Sequence, residues 1–212
     1  MTETKLEYLY QTSDASHTDE YLWPTIVRLL PPQHNQRLFE LGCGNGFTAN
    51  QLAKLGFEVT AIDASPSGIA QGRKAYPHLQ LFEGSAYDDL AAKHGQFPIV
   101  ISLEVIEHLY DPRAYARTFY NLLEPGGLGI ISTPYHGYLK NLALAITGKM
   151  DSHFTALWDC GHIKFFSAAT LTQLLLDAGF ERPKVYRVGR IPPLAKSMIA
   201  AFYKPRIGQG QA

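Results

Sequence analysis

From about residue 37 onward, short apolar runs alternate with segments of helix-like apolar spacing, the pattern of parallel strands joined by helical crossovers. The first strand is predicted at Arg37–Leu41, followed by a Gly-rich turn and a helix from Phe47 to Leu55, which Gly56 ends as a left-handed cap. A second strand at Glu58–Ile62 leads through Ser65 and Pro66 into a helix over Ser67–Ala75, and Leu79–Glu83 forms a third strand. Pro98 precedes the fourth, Ile99–Leu103, whose nearly unbroken apolar character suits the centre of a sheet covered by helices on both faces. A helix over Pro112–Leu123 stops at the breaker run Glu124-Pro125-Gly126-Gly127, and Leu128–Ser132 is the fifth strand.

Beyond it the alternation breaks. Residues 134–166 hold aromatics, histidines and a short apolar helix candidate, Leu139–Ile146, the place for a substrate lid. A helix over Ala168–Ala178 with Gly179 past its end, a late strand at Val185–Val188 and a partly apolar element at Leu194–Tyr203 follow, and Ile207–Ala212 reads as a frayed end. The 212 residues are expected to make one domain: 1–36 a helical cap, 37–133 a ligand-binding core, 134–166 the lid, 167–206 a closing helix and strands. Lys140 and Lys149 flank the lid helix, but so few basic residues attract anionic lipid weakly, and membrane contact is not expected.

Nineteen basic and nineteen acidic residues cancel, so no global field favours nucleic acid, and a small-molecule substrate is the expectation. Two cysteines, Cys43 and Cys160, are too few for a disulfide framework or a zinc cluster and fit a reducing compartment. The polar N-terminus lacks a secretory pattern and no apolar stretch reaches spanning length, which makes a soluble, cytoplasmic protein the expectation.

Leu41-Gly42-Cys43-Gly44-Asn45-Gly46 lies between a strand and a helix, where its glycines let backbone approach a ligand closely, although such a turn needs glycine on steric grounds alone. Asp63 falls at the end of the second strand, where a carboxylate can accept both hydroxyls of a ribose. The glycines read G-x-G-x-G, and Phe47 takes the third small position of a dinucleotide fingerprint, which disfavours pyrophosphate. A nucleotide-dependent dehydrogenase and a non-catalytic cofactor-binding module are two readings of such a crevice.

The stretches FELGCGNG (39–46), VTAID (59–63) and EPGGLGIIST (124–133) resemble the class I S-adenosylmethionine-dependent methyltransferases. SLEVIEHLYDP (102–112) and HIKFF (162–166) are similar to the ubiquinone-biosynthesis O-methyltransferase subgroup, whose acceptors are hydroxylated aromatic or quinone-type compounds. The resemblance implies an α/β fold: a doubly wound, mostly parallel seven-stranded sheet of the Rossmann-like methyltransferase kind, with a lid insertion after strand five. It places Glu40, Gly42, Cys43, Gly44 and Gly46 around the methionine part of S-adenosylmethionine, Asp63 and Ala64 at the ribose, Ser85 and Ala86 near adenine, and Leu103 or Glu104 beside the methyl donor. Ser85 stands where the common pattern often has Asp, so a charged contact to the adenine amine is lost.

Methyl transfer needs an aligned nucleophile and a route for its proton. If the chain turns helical after the fourth strand, Glu104, Glu107 and His108 share one face at i, i+3 and i+4. His108 then serves as general base for a phenolic hydroxyl, or all three side chains bind a divalent ion that acidifies it. The resemblance implies a magnesium-type site, although histidine suits zinc or manganese better. A third reading has the carboxylates merely stabilised in a first helical turn, with His108 packed beneath the lid. His136, His153 and His162 lie in or beside the lid, with Tyr135, Tyr138, Phe154 and Trp158 available to enclose an aromatic substrate; His162 is a further catalytic candidate. Tyr8, Tyr10 and His17 can close over the cofactor from the N-terminal side.

Overall fold

The computed structural model describes residues 8–32 and 36–206; the expected frayed end Ile207–Ala212 and residues 1–7 and 33–35 of the expected cap lie outside them. Helix α1 (Asp19–Leu29) precedes β1 (Arg37–Leu41), α2 (Phe47–Lys54), β2 (Glu58–Asp63), α3 (Pro66–Ala75), β3 (Gln80–Glu83), α4 (Leu90–His94) and β4 (Phe97–Leu103). After a single 3-10 turn at Ile106–His108 come α5 (Pro112–Leu122), β5 (Leu123–Pro134), α6 (Tyr138–Ile146), α7 (Met150–Phe154), α8 (Ala168–Asp177), β6 (Lys184–Val188) and β7 (Ser197–Tyr203). The strands form one seven-stranded sheet in the order β3-β2-β1-β4-β5-β7-β6. The first five are mutually parallel, and β7 enters antiparallel between β5 and β6. Strand order reverses between β1 and β4, which opens a crevice beyond their carboxyl ends.

Alternation along β1 divides the core. Leu38 joins Leu22 and Ile26 of α1, Leu52 of α2 and Ile69 of α3 on one face. Phe39 and Leu41 join Tyr115 and Phe119 of α5 and Leu171 and Leu175 of α8 on the other. Each of these large side chains is buried almost completely and contributes about 1.5–3 kcal/mol. Helix starts follow local chemistry: Ser65 accepts from the Gly68 N–H, Asp111 from those of Arg113 and Ala114, and Ser167 with Thr170 forms a capping box.

The structure sharpens or departs from the sequence expectations in four places. Pro98 lies inside β4, whose pairing with β5 shifts register between Phe97 and Ile99, because proline offers no N–H to the ladder. The run 124–127 ends α5 but not the sheet: the backbones of Gly126 and Gly127 bond to Lys204, so β5 runs from Leu123 to Pro134. The element expected at Leu194–Tyr203 is β7, buried along most of its length. The helix expected after β4 is replaced by the 3-10 turn, preceded by Glu104 at φ 54°. Residues 135–167 contain α6, α7 and an irregular return; α6 has no buried residue and leaves Tyr138 and Ile146 at the surface. Among the described residues no helix is long and apolar enough to cross a membrane.

Candidate active site

The glycine turn is built by the sheet beneath it. The N–H groups of Gly42 and Cys43 both donate to the Ile62 carbonyl at 2.9 and 2.8 Å, folding the end of β1 over the end of β2. Gly44 and Gly46 take φ 53° and 76°, a region open chiefly to glycine, and Gly46 caps α2 in that conformation. Asp63 closes the assembly: its Oδ2 accepts the Gly44 N–H at 2.7 Å and its Oδ1 the Ser65 N–H at 2.8 Å. Burial raises its carboxyl, while these hydrogen bonds pull the other way. Asp63 therefore holds the turn together.

Carboxyl groups crowd this crevice. Glu40 of β1 is buried with no hydrogen-bond partner at Oε2, and burial, then Asp19 and Asp63, push its carboxyl well above the usual range. Burial also raises the Cys43 thiol. Glu104 accepts hydroxyl hydrogen bonds from Ser132 at 2.8 Å and Ser197 at 3.1 Å. Its carboxyl is pushed up to about 7 by burial, with the two hydroxyls and Lys140 opposing. Glu107, raised well above the carboxylate range by burial and Glu104, accepts from Thr133 at 3.0 Å through Oε2 and leaves Oε1 without a partner.

His108 donates through Nδ1 to the Cys160 carbonyl at 2.9 Å, since a carbonyl can only accept; that tautomer leaves the lone pair on Nε2. Burial lowers its pKa, so the ring is neutral at ordinary pH. The chain returning from α7 is tied to this turn, because Ile163 and Lys164 donate their N–H groups to the Glu107 carbonyl at 2.8 and 3.0 Å. His162 thereby comes within 3.9 Å of Glu107 Oε1. Burial and His108 hold His162 at about 4, so its imidazole is neutral and the contact is not an ion pair.

Glu107, His108 and His162, not Glu104, bring their ligand atoms together, all within 4.8 Å of one another. The left-handed backbone at Glu104 turns its carboxylate towards Ser132 and Ser197, away from the expected i, i+3, i+4 face. One carboxylate with an orphaned oxygen and two neutral imidazoles fit zinc or manganese; magnesium, which prefers oxygen, fits poorly.

Ser85 and Ala86 follow β3, where the Gly84 N–H donates to the Asp63 carbonyl at 2.9 Å, and Ala64 lies exposed beside Asp63. Leu103 packs at the rim of the core. Tyr8 and Tyr10 reach the site from the N-terminal side, with Tyr10 packed over Gly44, whereas His17 is exposed. His136 stacks on Phe154 at 5.7 Å and meets His153 and Phe165; burial holds it at about 4. Tyr135 is buried and Tyr138 faces solvent, whereas Trp158 stands 6.0 Å from His108. Sequence reasoning missed Ser132, Thr133 and Ser197: isolated hydroxyls on strands carry no local signal.

Residues 15–183 match a sequence family described as "Methyltransferase domain". A ubiquinone biosynthesis O-methyltransferase of Caulobacter sp. (strain K31) is 39% identical over 131 residues, 60% of this chain and 50% of that protein. Another, from Cereibacter sphaeroides (strain ATCC 17025 / ATH 2.4.3), is 37% identical over 120 residues, 55% and 48% of the two chains. The chain spans about half the length of the curated relatives it matches. An S-adenosylmethionine dependent methyltransferase of Mesorhizobium loti shares the fold, with TM-score 0.67 at 18% identity over 86% of this chain and 97% of that one.

Proposed function

Because this chain belongs to the methyltransferase-domain family, we propose that it transfers the methyl group of S-adenosylmethionine to a small molecule, a hydroxylated aromatic or quinone-type compound methylated on oxygen. The acidic crevice supports this reading most. Glu40, Asp63 and Glu104 are all raised by burial, and the charges that further raise Glu40 are Asp19 and Asp63. Such a crevice suits a ligand bearing ammonium and sulfonium charges, which draw buried carboxyls into their ionised form.

In this reading Gly42, Cys43, Gly44 and Gly46 contact the methionine part through backbone, Glu40 and Glu104 offset its positive charge, and Asp63 with Ala64 holds the ribose. Ser85 and Ala86 border adenine, Leu103 the methyl donor, and residues 134–166 act as the lid. Bound S-adenosylmethionine supplies a methyl carbon on a good leaving group. His108 Nε2, its lone pair fixed by the Nδ1 hydrogen bond, takes the phenolic proton as the oxygen attacks in line. A second reading rests on the orphaned Glu107 Oε1 beside His162: a divalent ion held by Glu107, His108 and His162 would instead acidify the hydroxyl.

The test is release of S-adenosylhomocysteine from a panel of catechols, quinols and amines, with and without chelator. Catechol or quinol turnover supports O-methylation, and chelator-insensitive turnover removes the metal. Binding of NADH but not S-adenosylmethionine reverses the assignment, and cofactor binding without turnover leaves a binding module.

A further inference from the structure

Resting on the methyl-transfer reading, we propose that Tyr8 and Trp158 form an aromatic corner against which a planar aromatic acceptor packs, with Tyr8 positioned by the cofactor half of the site. The rings of Tyr8, Trp158 and His108 meet edge-on in all three pairings. Tyr8 lies 6.4 Å from His108 at 73° and 6.1 Å from Trp158 at 64°, and Trp158 lies 6.0 Å from His108 at 88°. Tyr8 and Trp158 remain 41% and 43% exposed, so neither ring is spent on the core. Rings with free surface beside a proton acceptor suit a flat, hydroxylated ring, because aromatic pairs prefer offset and edge-on contacts.

The backbone that carries Tyr8 is fixed from the other side. Ser65 Oγ donates to the Tyr8 carbonyl at 2.7 Å, and the Tyr10 N–H donates to Ser67 Oγ at 3.2 Å. Asn45 Nδ2 donates to the carbonyls of Thr12 and Asp14 at 2.9 Å each, and Tyr76 donates to that of Ser13 at 2.9 Å. These anchors come from the glycine turn, the start of α3 and the residue after it. Residues 8–14 thus form a strap whose backbone belongs to the donor site while the Tyr8 ring belongs to the acceptor site.

The experiment measures catechol binding to the enzyme loaded with S-adenosylhomocysteine, by calorimetry and by quenching of Trp158 fluorescence, in wild type, Tyr8→Ala, Tyr8→Phe, Trp158→Ala and Trp158→Phe. Each alanine variant is expected to weaken catechol binding about 3- to 10-fold, the worth of one aromatic pair. The phenylalanine variants should restore most of it, Trp158→Phe should abolish the quench, and S-adenosylhomocysteine affinity should stay within about twofold. Absence of catechol binding to the loaded wild type, unchanged catechol affinity in both alanine variants, or parallel loss of both ligands overturns the proposal. Failure of wild type to bind S-adenosylhomocysteine at all instead overturns the methyl-transfer reading beneath it.

Discussion

Asp63 holds the glycine turn and, in the proposed function, the ribose, and replacing it with asparagine separates the two roles. Its carboxylate accepts the Gly44 and Ser65 N–H groups at 2.7 and 2.8 Å. Asp63→Asn keeps one acceptor oxygen but sets an amide nitrogen against the other N–H, so one charge-assisted hydrogen bond is lost, worth about 1.5–3 kcal/mol. Against a total stability of about 5–15 kcal/mol the variant still folds, with Tm lowered by roughly 3–12 °C for a chain of this size. The proposed bonds to the ribose lose the same charge, so S-adenosylmethionine affinity should fall by another 1.5–3 kcal/mol, roughly 10- to 150-fold. Calorimetric titration with S-adenosylhomocysteine at 15 °C, with the fold checked by circular dichroism, reads the second effect apart from the first. A folded variant that binds within twofold of wild type removes Asp63 from the ribose. A Tm unchanged within 1 °C removes it from the turn.

Glu104→Gln tests the buried acid. The wild-type carboxyl is raised from 4.5 to about 7, so folding retains its proton and the stability this gives is lost as pH rises through that window. Denaturant melts should find the two proteins alike below pH 4.5 and the variant gaining up to about 3 kcal/mol by pH 8; a pH-independent difference refutes this. Gly44→Ala forces φ 53° on a residue with a Cβ and sets that carbon 2.5 Å from the Tyr10 hydroxyl oxygen. It should cost about 1–2 kcal/mol from the backbone alone, and more with Tyr10 present; equal costs in wild-type and Tyr10→Ala backgrounds would show that the strap does not press on the turn. Ser167→Ala removes a capping box and should lower stability by about 1 kcal/mol, a Tm drop of roughly 2–4 °C in a thermal scan.

The first half of the fold was legible because its signals are local. Gly56 as a left-handed cap, Ser65-Pro66 and Pro112 at helix starts, and a run as apolar as Ile99–Leu103 each constrain only their neighbours. α4 went unread because five residues held by an Asp89 cap are too short for periodicity. The breaker run before Leu128 was misread as a gap because glycine and proline mark the end of a helix without showing whether a neighbouring chain keeps the backbone extended, as Lys204 does here.

The candidate site turned on one residue. The spacing of Glu104, Glu107 and His108 satisfies a helix, but the Glu104 N–H bonds to both the carbonyl and the hydroxyl of Ser132, at 3.1 and 3.0 Å. That keeps the chain on the sheet edge for one more residue and drives Glu104 into the left-handed region, a costly conformation for a side chain with a Cβ. Glu104 then faces Ser132 and Ser197, while the 3-10 turn carries Glu107 and His108 toward the segment returning from α7. The same turn presents the Glu107 carbonyl to Ile163 and Lys164, and so recruits His162 from more than fifty residues away. A backbone contact between strands thus decides which side chains share the crevice, and no reading of periodicity along one segment contains it.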